Sequence, residues 1–394
     1  MKTQRMKAKR MKAKRMKTQR FLLVICILLS MAAGMVGCGK GAGESKVQIT
    51  CSIKKDMEFG STQFLIAPEE FINAGFEFGD SCKVEFTNGQ CFENIPFYNG
   101  YYGKTGELAI VAYPGYEFNV FARCQGNSSW DEFELSDGDM ATITLTQKDE
   151  FDDTQDALSM VYSDDREHYS SDAVFANFRA MSGGNLKPDM FYRGASPFDN
   201  QYNRASFINE FIEESGIKYV LDLADTEEKI AGYREKEDFN SDYAASLYDN
   251  GDVYLAGLSA SYRSDKYVTK TVAMLKEMIN HQGPFYIHCT EGKDRTGFIC
   301  MLLECIGGCS YDELKYDYLE TYFNYYGISE SSDPEKYRSV VEVKFNDMIF
   351  WLAGVDKEED ATVDKLKQGA HDYLINGGMS EEEYLALVEL LCVE

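Results

Sequence analysis

Histidine is scarce in this chain, with 4 among 394 residues, and His168, His281, His288 and His371 are scattered along it. No Cys-x-x-Cys pair occurs among the 11 cysteines. These absences remove the spacings that zinc ligation needs, so no metal site and no cofactor is expected. The Gly-rich stretch GCGKGAGES (37–45) has no strand before it and no GK[ST] at its end. That excludes a nucleotide-binding loop. Positive charge is also sparse over most of the chain. Ten of the 40 Lys/Arg fall in residues 1–37, which hold no acid, so the remainder carries 30 basic against 65 acidic residues, a balance of −35. A body that acidic repels polyanions, which excludes nucleic acid as a partner. An anionic substrate must be held by a local cluster of cations.

The ten basic residues form a five-residue repeat, MKTQRMKAKRMKAKRMKTQR, followed by the apolar run FLLVICILLSMAAGMVG (21–37). A charged region and then an apolar core is the order of an export signal. The Gly37-Cys38 junction is similar to the lipobox of bacterial lipoproteins, which implies lipidation at Cys38 and a signal peptide over 1–37. The other reading is an uncleaved anchor, although the run is short of the roughly 20 residues a bilayer needs. Both readings expect a membrane-anchored protein facing outside the cytoplasm, because basic flanks stay inside. Residues 38–46 then read as a flexible tether.

Residues 47–148 read as a small all-β sandwich or barrel. VQITCSI, KVEFT, ELAIVAY, EFNVFARC and ATITLTQ are the candidate strands, separated by turn signals such as Asn88-Gly89 and Pro114-Gly115. The stretch from TNGQCFENIPFYNGYYG to LSDGDMATITL resembles the C-terminal β-domain of the S-adenosylmethionine hydroxide adenosyltransferases, which implies a fold and no cofactor. Residues 149–172 are acidic with few large apolar side chains and read as a linker.

From 173 to 394 strands and helices alternate. KYVLDLA, DVYLAGL and PFYIHC are buried strands. DKYVTKTVAMLKEMINH carries Val268, Val272, Leu275 and Ile279 on one helical face. TGFICMLLECIGG is a helix closed by Gly307-Gly308, and SYDELKYDYLETYFNYYG opens on a serine cap. The expectation is an α/β domain with a central, mostly parallel sheet flanked by helices.

Between the PFYIHC strand and the next helix lies HCTEGKDRTG (288–297). A strand-to-helix loop in an open α/β sheet sits where ligands bind, and its N–H groups with the helix start make an anion cradle. Arg295, six residues after Cys289, can grip two oxygens of a tetrahedral anion. The same positive field favours the thiolate of Cys289, whose free pKa is about 8.5. Thr296 can donate to the sulfur and help it leave. This C-x5-R-[ST] pattern suits two-step phosphoryl transfer through a phosphocysteine without a metal. Thr290, Glu291, Gly292, Lys293, Asp294 and Arg295 line the phosphate.

Residues 288–297 resemble the signature of the cysteine-dependent protein tyrosine phosphatases, above all the bacterial exported, lipid-phosphatase-like group with HCxAGKDRTG. NFRAMSGGNLKPDMFYRGA (177–195), GIKYVLDLADTEE (216–228), YDYLETY (316–322) and YLINGGMSEEEYLALVELL (373–391) resemble that group's other segments in order. The resemblance implies Cys289 as nucleophile, Arg295 as phosphate clamp, Lys293 as a second cation tied to phosphoinositide use, and Asp294 as a proton carrier, with Asp222 near the entrance. Two departures stand out. Glu291 replaces alanine, and DLAD replaces DLR. The general acid stays open among Asp294, Asp222, Asp225 and Asp265. Asp222 can equally satisfy backbone groups at a strand end, and His288 orients the loop. Cys300 is either a redox partner of Cys289 or core packing, with packing favoured.

Three functions follow. The first is a surface-anchored phosphatase of phosphotyrosine in proteins. The second is the same chemistry on a phosphoinositide, other phospholipid or inositol polyphosphate. The third is a non-catalytic binding lipoprotein.

Overall fold

The computed structural model describes residues 47–393, apart from 58 and 260. The segments read from the sequence as a signal peptide and a tether, with Cys38, lie outside the described residues.

The first body is a closed seven-strand barrel, in the order β1-β2-β6-β5-β4-β3-β7. Its strands are β1 (Gln48–Lys55), β2 (Thr62–Phe64), β3 (Ser81–Phe86), β4 (Cys91–Tyr98), β5 (Leu108–Val111), β6 (Asn119–Arg123) and β7 (Met140–Gln147), with short helices α1 (Pro68–Asn73) and α2 (Ser129–Glu132). The sequence left barrel and sandwich open. Closure removes the exposed edges an open sheet would carry. The core is a stack of rings, with Phe71 4.1 Å from Phe76 and Phe92 4.4 Å from Phe133. β2 and β4 have no counterpart among the expected strands. β2 is three residues long. β4 shows no alternation, with an exposed first half and a buried second half, and it carries Asn94 at φ 56° and Pro96.

Residues 149–172, read as an acidic linker, form a strap with two short helical segments that is packed in part. α3 (Asp152–Leu158) buries Gln155, Ala157 and Leu158. The chain then runs through Tyr162 to α4 (Asp172–Ala176), capped by Ser171. Arg204 holds the strap. It is 2% exposed and donates to the carbonyls of Phe175 (2.7 Å), Ser163 (3.1 Å) and Tyr202 (3.2 Å). Its guanidinium also lies 4.6–4.8 Å from the rings of Phe175, Tyr162 and Tyr325. Cation–ring contacts of this kind are strongest when water is excluded. The few apolar residues of the strap suffice because a buried arginine organises them.

The second body is built on a five-strand sheet in the order β11-β10-β12-β9-β8. β9 (Phe191–Gly194), β10 (Tyr219–Asp222), β11 (Val253–Leu255) and β12 (Phe285–His288) run parallel, and β8 (Arg179–Ala180) is an antiparallel edge. Alternate strand residues face two cores. Val220 and Tyr286 pack under α5 (Ala205–Glu214), α6 (Glu227–Arg234) and α7 (Asp242–Asn250). Leu221 and Ile287 pack with α8 (Asp265–Met278), α9 (Asp294–Gly307) and α10 (Tyr311–Tyr326). Beyond these follow α11 (Pro334–Val340), α12 (Asn346–Ala353), α13 (Val363–Asn376) and α14 (Glu381–Leu391).

The helix ends match their sequence signals. Gly308 takes the left-handed conformation that closes α9, and Ser310 with Glu313 forms a complete capping box on α10. The buried face of α8 is rotated from the expected one. Tyr267, Thr271, Met274 and Met278 join Val272 and Leu275 inside, while Val268 and Ile279 are half-buried.

Replacing Arg204 by alanine removes the anchor of the strap. Limited proteolysis should cut Arg204→Ala rapidly within 159–170 and leave the wild type intact there. Equal protection of both would show that the strap is held by something else.

Candidate active site

β12 is the central strand, and its last residue, His288, pairs with Gly194 of β9 on one side and Asp222 of β10 on the other. The 289–293 loop therefore rises from the carboxyl edge of the sheet, and α9 starts at Asp294. Cys289 stands at the strand end, only 3% exposed.

The loop's carbonyls are all claimed from outside it. Ser196 N–H donates to Thr290 O (3.1 Å) and Tyr325 Oη to Glu291 O (2.5 Å). Arg193 Nη2 (3.1 Å) and Asn177 Nδ2 (3.3 Å) donate to Gly292 O, and Gly297 N–H to Lys293 O (2.8 Å). By contrast, the N–H groups of residues 290–293 have no acceptor among the described residues. With the carbonyls turned out, these donors are left for an anion. Gly292 makes the turn possible. It has φ +68°, and a Cβ there would sit 2.1 Å from Gly194 O.

Behind the carbonyls lies an ion network. Arg193, 1% exposed, also donates to Asp317 Oδ2, and Arg179 Nε reaches Asp317 Oδ1 at 2.7 Å. Despite burial, the two guanidiniums hold the Asp317 carboxyl below its usual range. Asn177 is fixed in turn by Arg179 (2.7 Å), Thr321 (3.2 Å) and Asn324 (3.0 Å). None of these residues was singled out from the sequence. The signal was present, however, because 177–195 and 316–322 are the stretches similar to the phosphatases outside the loop itself.

Arg295 is half-buried. Its Nη1 donates to Leu258 O at 3.3 Å. Burial opposes its charge, but neighbouring groups, Cys289 first among them, keep it raised. Thr296 is fully buried and its Oγ1 has no partner among the described residues, Cys289 included.

Lys293 is paired rather than free. Its Nζ lies 3.1 Å from Glu291 Oε2 and 3.2 Å from Tyr326 Oη. Glu291 also accepts from Tyr162 of the strap. Burial works against the Glu291 charge, yet Lys293 and that hydroxyl hold its carboxyl below the usual range. Glu291 thus points away from the loop's centre and cancels the second cation.

Asp294 and Asp265 are exposed, Asp294 at the rim with a 61% exposed side chain. Asp222 is fully buried, and its Oδ1 accepts from the N–H groups of Ala224 (2.9 Å) and Asp225 (3.0 Å). Its Oδ2 lies 3.9 Å from His288 Nε2. Burial pushes Asp222 up to about 6. Burial and then the Asp222 charge push Asp225 up to about 7. Burial holds His288 down to about 4. Cys300 faces Arg193 inside α9, where burial pushes its thiol up, and like the other described cysteines it is free.

The acidic pair makes stability depend on pH. Unfolded, both carboxyls ionise near pH 4. Folded, they keep their protons to about 6 and about 7. Their contribution is full below the unfolded pKa and falls as pH rises towards 7, while His288 acts oppositely between about 4 and 6.5. Asparagine at 225 removes one decline. In urea titrations the stability of Asp225→Asn relative to wild type should rise from about pH 5 to about pH 8. A pH-independent difference would mean that Asp225 is ionised in the folded protein.

No curated protein matches the chain. A crystal structure of an uncharacterized conserved protein from Thermotoga maritima aligns at 19% identity and a TM-score of 0.22, over 27% of this chain and 40% of that one. The model of the tyrosine phosphatase family matches residues 175–393, from the end of the strap through the last helix. That span takes in the whole 177–195 and 316–322 network as well as the 289–295 loop, and by it the chain belongs to the tyrosine phosphatase family.

Proposed function

We propose that the protein hydrolyses phosphate monoesters through a phosphocysteine on Cys289, with phosphotyrosine in proteins as its substrate. The observation that carries this reading is the loop whose carbonyls from Thr290 to Lys293 are all bonded outward while its N–H groups stay unclaimed around Cys289 and Arg295. Oriented N–H dipoles and a guanidinium stabilise the charge on three equatorial phosphoryl oxygens without reorganising. In the first step the Cys289 sulfur forms a bond to phosphorus and the bond to the ester oxygen breaks. Asp294 protonates that oxygen, because it is the exposed carboxyl at the loop's rim. In the second step a water, giving its proton back to Asp294, displaces the sulfur and releases phosphate. Asp222, buried with its Oδ1 committed to two N–H groups, is a positioning residue for the strand end. Arg295 carries the charge compensation, so the reaction needs no metal. The pairing of Lys293 with Glu291 weighs against polyanionic inositol phosphates.

Kinetics on a phosphotyrosine peptide test this, with EDTA present throughout. Cys289→Ser should lose turnover almost entirely. Asp294→Asn should lower kcat by about 10²–10⁴ for a poor leaving group and far less for p-nitrophenyl phosphate. Full activity in Cys289→Ser, or dependence of the wild type on added metal, would overturn the mechanism.

The basic repeat, apolar run and Gly37-Cys38 junction support a lipid anchor that holds the enzyme outside the cytoplasm. Two or more acyl chains hold a protein stably on a membrane. Mass spectrometry of the mature N-terminus should find a lipidated Cys38, and Cys38→Ala should accumulate as precursor. A wild-type N-terminus retaining 21–37 would replace lipidation by a transmembrane anchor.

A further inference from the structure

Among the described residues the Arg295 side chain has one hydrogen-bond acceptor, the Leu258 carbonyl at 3.3 Å. The segment that offers it, 256–263, follows β11 and is braced at both ends. At its start the N–H groups of Ala256 and Leu258 donate to Asp222 O and Leu223 O, both at 2.8 Å. Lys270 Nζ also donates there, to Ala256 O (3.0 Å) and Gly257 O (2.6 Å). These bonds lie within the phosphatase body. At the far end the brace comes from the barrel. Ser261 Oγ donates to Gly126 O at 3.2 Å, and the Tyr262 hydroxyl meets Thr105 Oγ1 at 2.9 Å.

Tyr262 is where this brace bears on the phosphate loop. The residue is 4% exposed. Its ring stacks on Phe298 of α9, with 4.6 Å between centroids and 18° between planes. Arg295 lies on the same helix, in its first turn. The Tyr262 carbonyl accepts from Tyr373 Oη at 2.9 Å, and its hydroxyl donates to Asp347 Oδ2 at 3.2 Å. The same Asp347 oxygen accepts from Arg263 Nη2 (3.1 Å), from Thr105 N–H (3.2 Å) and from the Thr105 hydroxyl. A buried hydroxyl held between a carboxylate and a second hydroxyl has little freedom, and breaking such a network costs more than one surface bond. Thr105 of the barrel therefore fixes Tyr262. Tyr262 in turn reaches Arg295 by two routes, along the chain to Leu258 O and through Phe298 on α9.

We propose that the barrel is a working part of the phosphatase site, with Thr105 and Tyr262 as positioning residues that hold Arg295 where it grips the phosphate. This rests on the phosphatase reading above. Neither residue touches the substrate, so the barrel acts on the reaction only through the placement of the guanidinium.

The test uses the full chain, with p-nitrophenyl phosphate as substrate and orthovanadate as a phosphate-shaped inhibitor. Tyr262→Phe keeps the ring on Phe298 and removes the hydroxyl, and Thr105→Val removes the barrel's hydroxyl at nearly equal size. Misplacing a clamp by about 1 Å can cost about 10²-fold, so each variant should raise the vanadate Ki and lower kcat by about tenfold. The double variant should lose no more than either single one, because both cut the same link. Thr105→Ser, which retains the hydroxyl, should restore the wild-type Ki. A wild-type Ki in Thr105→Val, or losses that multiply in the double variant, overturns the proposal and leaves the phosphatase intact. Should Thr105→Val fail to fold, Tyr262→Phe decides alone, an unchanged Ki and kcat overturning the proposal. A wild type that neither hydrolyses p-nitrophenyl phosphate nor binds vanadate overturns the phosphatase reading itself, and this inference with it.

Discussion

Five donors pulling four carbonyls out of one loop set the geometry on which the site depends. A short loop between a strand and a helix has as many carbonyls as N–H groups, and an inward carbonyl would repel an anion. Here Arg193, Asn177, Tyr325, Ser196 N–H and Gly297 N–H fix the carbonyls outward. Bonds from a charged donor such as Arg193 contribute about 1.5–3 kcal/mol each. Arg193 can stay charged while buried because Asp317 faces it and Arg179 locks Asp317. The ion network thus supports the proposed phosphate loop from behind, through its carbonyls.

The Glu291 departure from the family's loop makes sense in the same frame. A carboxylate beside an anion site would be costly if it faced inward. Tyr162 of the strap and Lys293 of the loop itself turn it outward instead, and α10 holds Lys293 through the Tyr326 hydroxyl. One substitution in the loop is thereby matched by a segment more than a hundred residues earlier. The strap is packed because Arg204 holds its carbonyls on one side and Asn99 of the barrel meets Gln155 and Ser159 on the other.

The chemistry-bearing loop was legible in the sequence because its spacing is dictated by atoms. Cys289 must end a strand, Arg295 must start a helix, and Gly292 must take a positive φ. Three strands of the sheet, β10, β11 and β12, were legible because buried parallel strands are short apolar runs, whereas β8 and β9 were not expected. What was not legible depends on contacts between distant residues. The strap has an acidic composition and few apolar side chains, so Tyr162 and Leu158 carry no local pattern. β4 alternates in neither half, since its first half lies open and its second is covered on both sides. Asp222, in the DLR-like segment, was read either as lying near the site entrance or as satisfying backbone groups at a strand end; it is buried, and its Oδ1 accepts from the N–H groups of Ala224 and Asp225. Arg193 and Asp317 are ordinary charges in sequence and become a pair only across the fold.

The most direct measurement is to trap the reaction. Wild-type enzyme mixed with a phosphotyrosine peptide, quenched in acid within one turnover and digested, should yield the peptide containing Cys289 with phosphate on its sulfur. Turnover without any phosphate on Cys289, or with phosphate on another residue, would contradict the account.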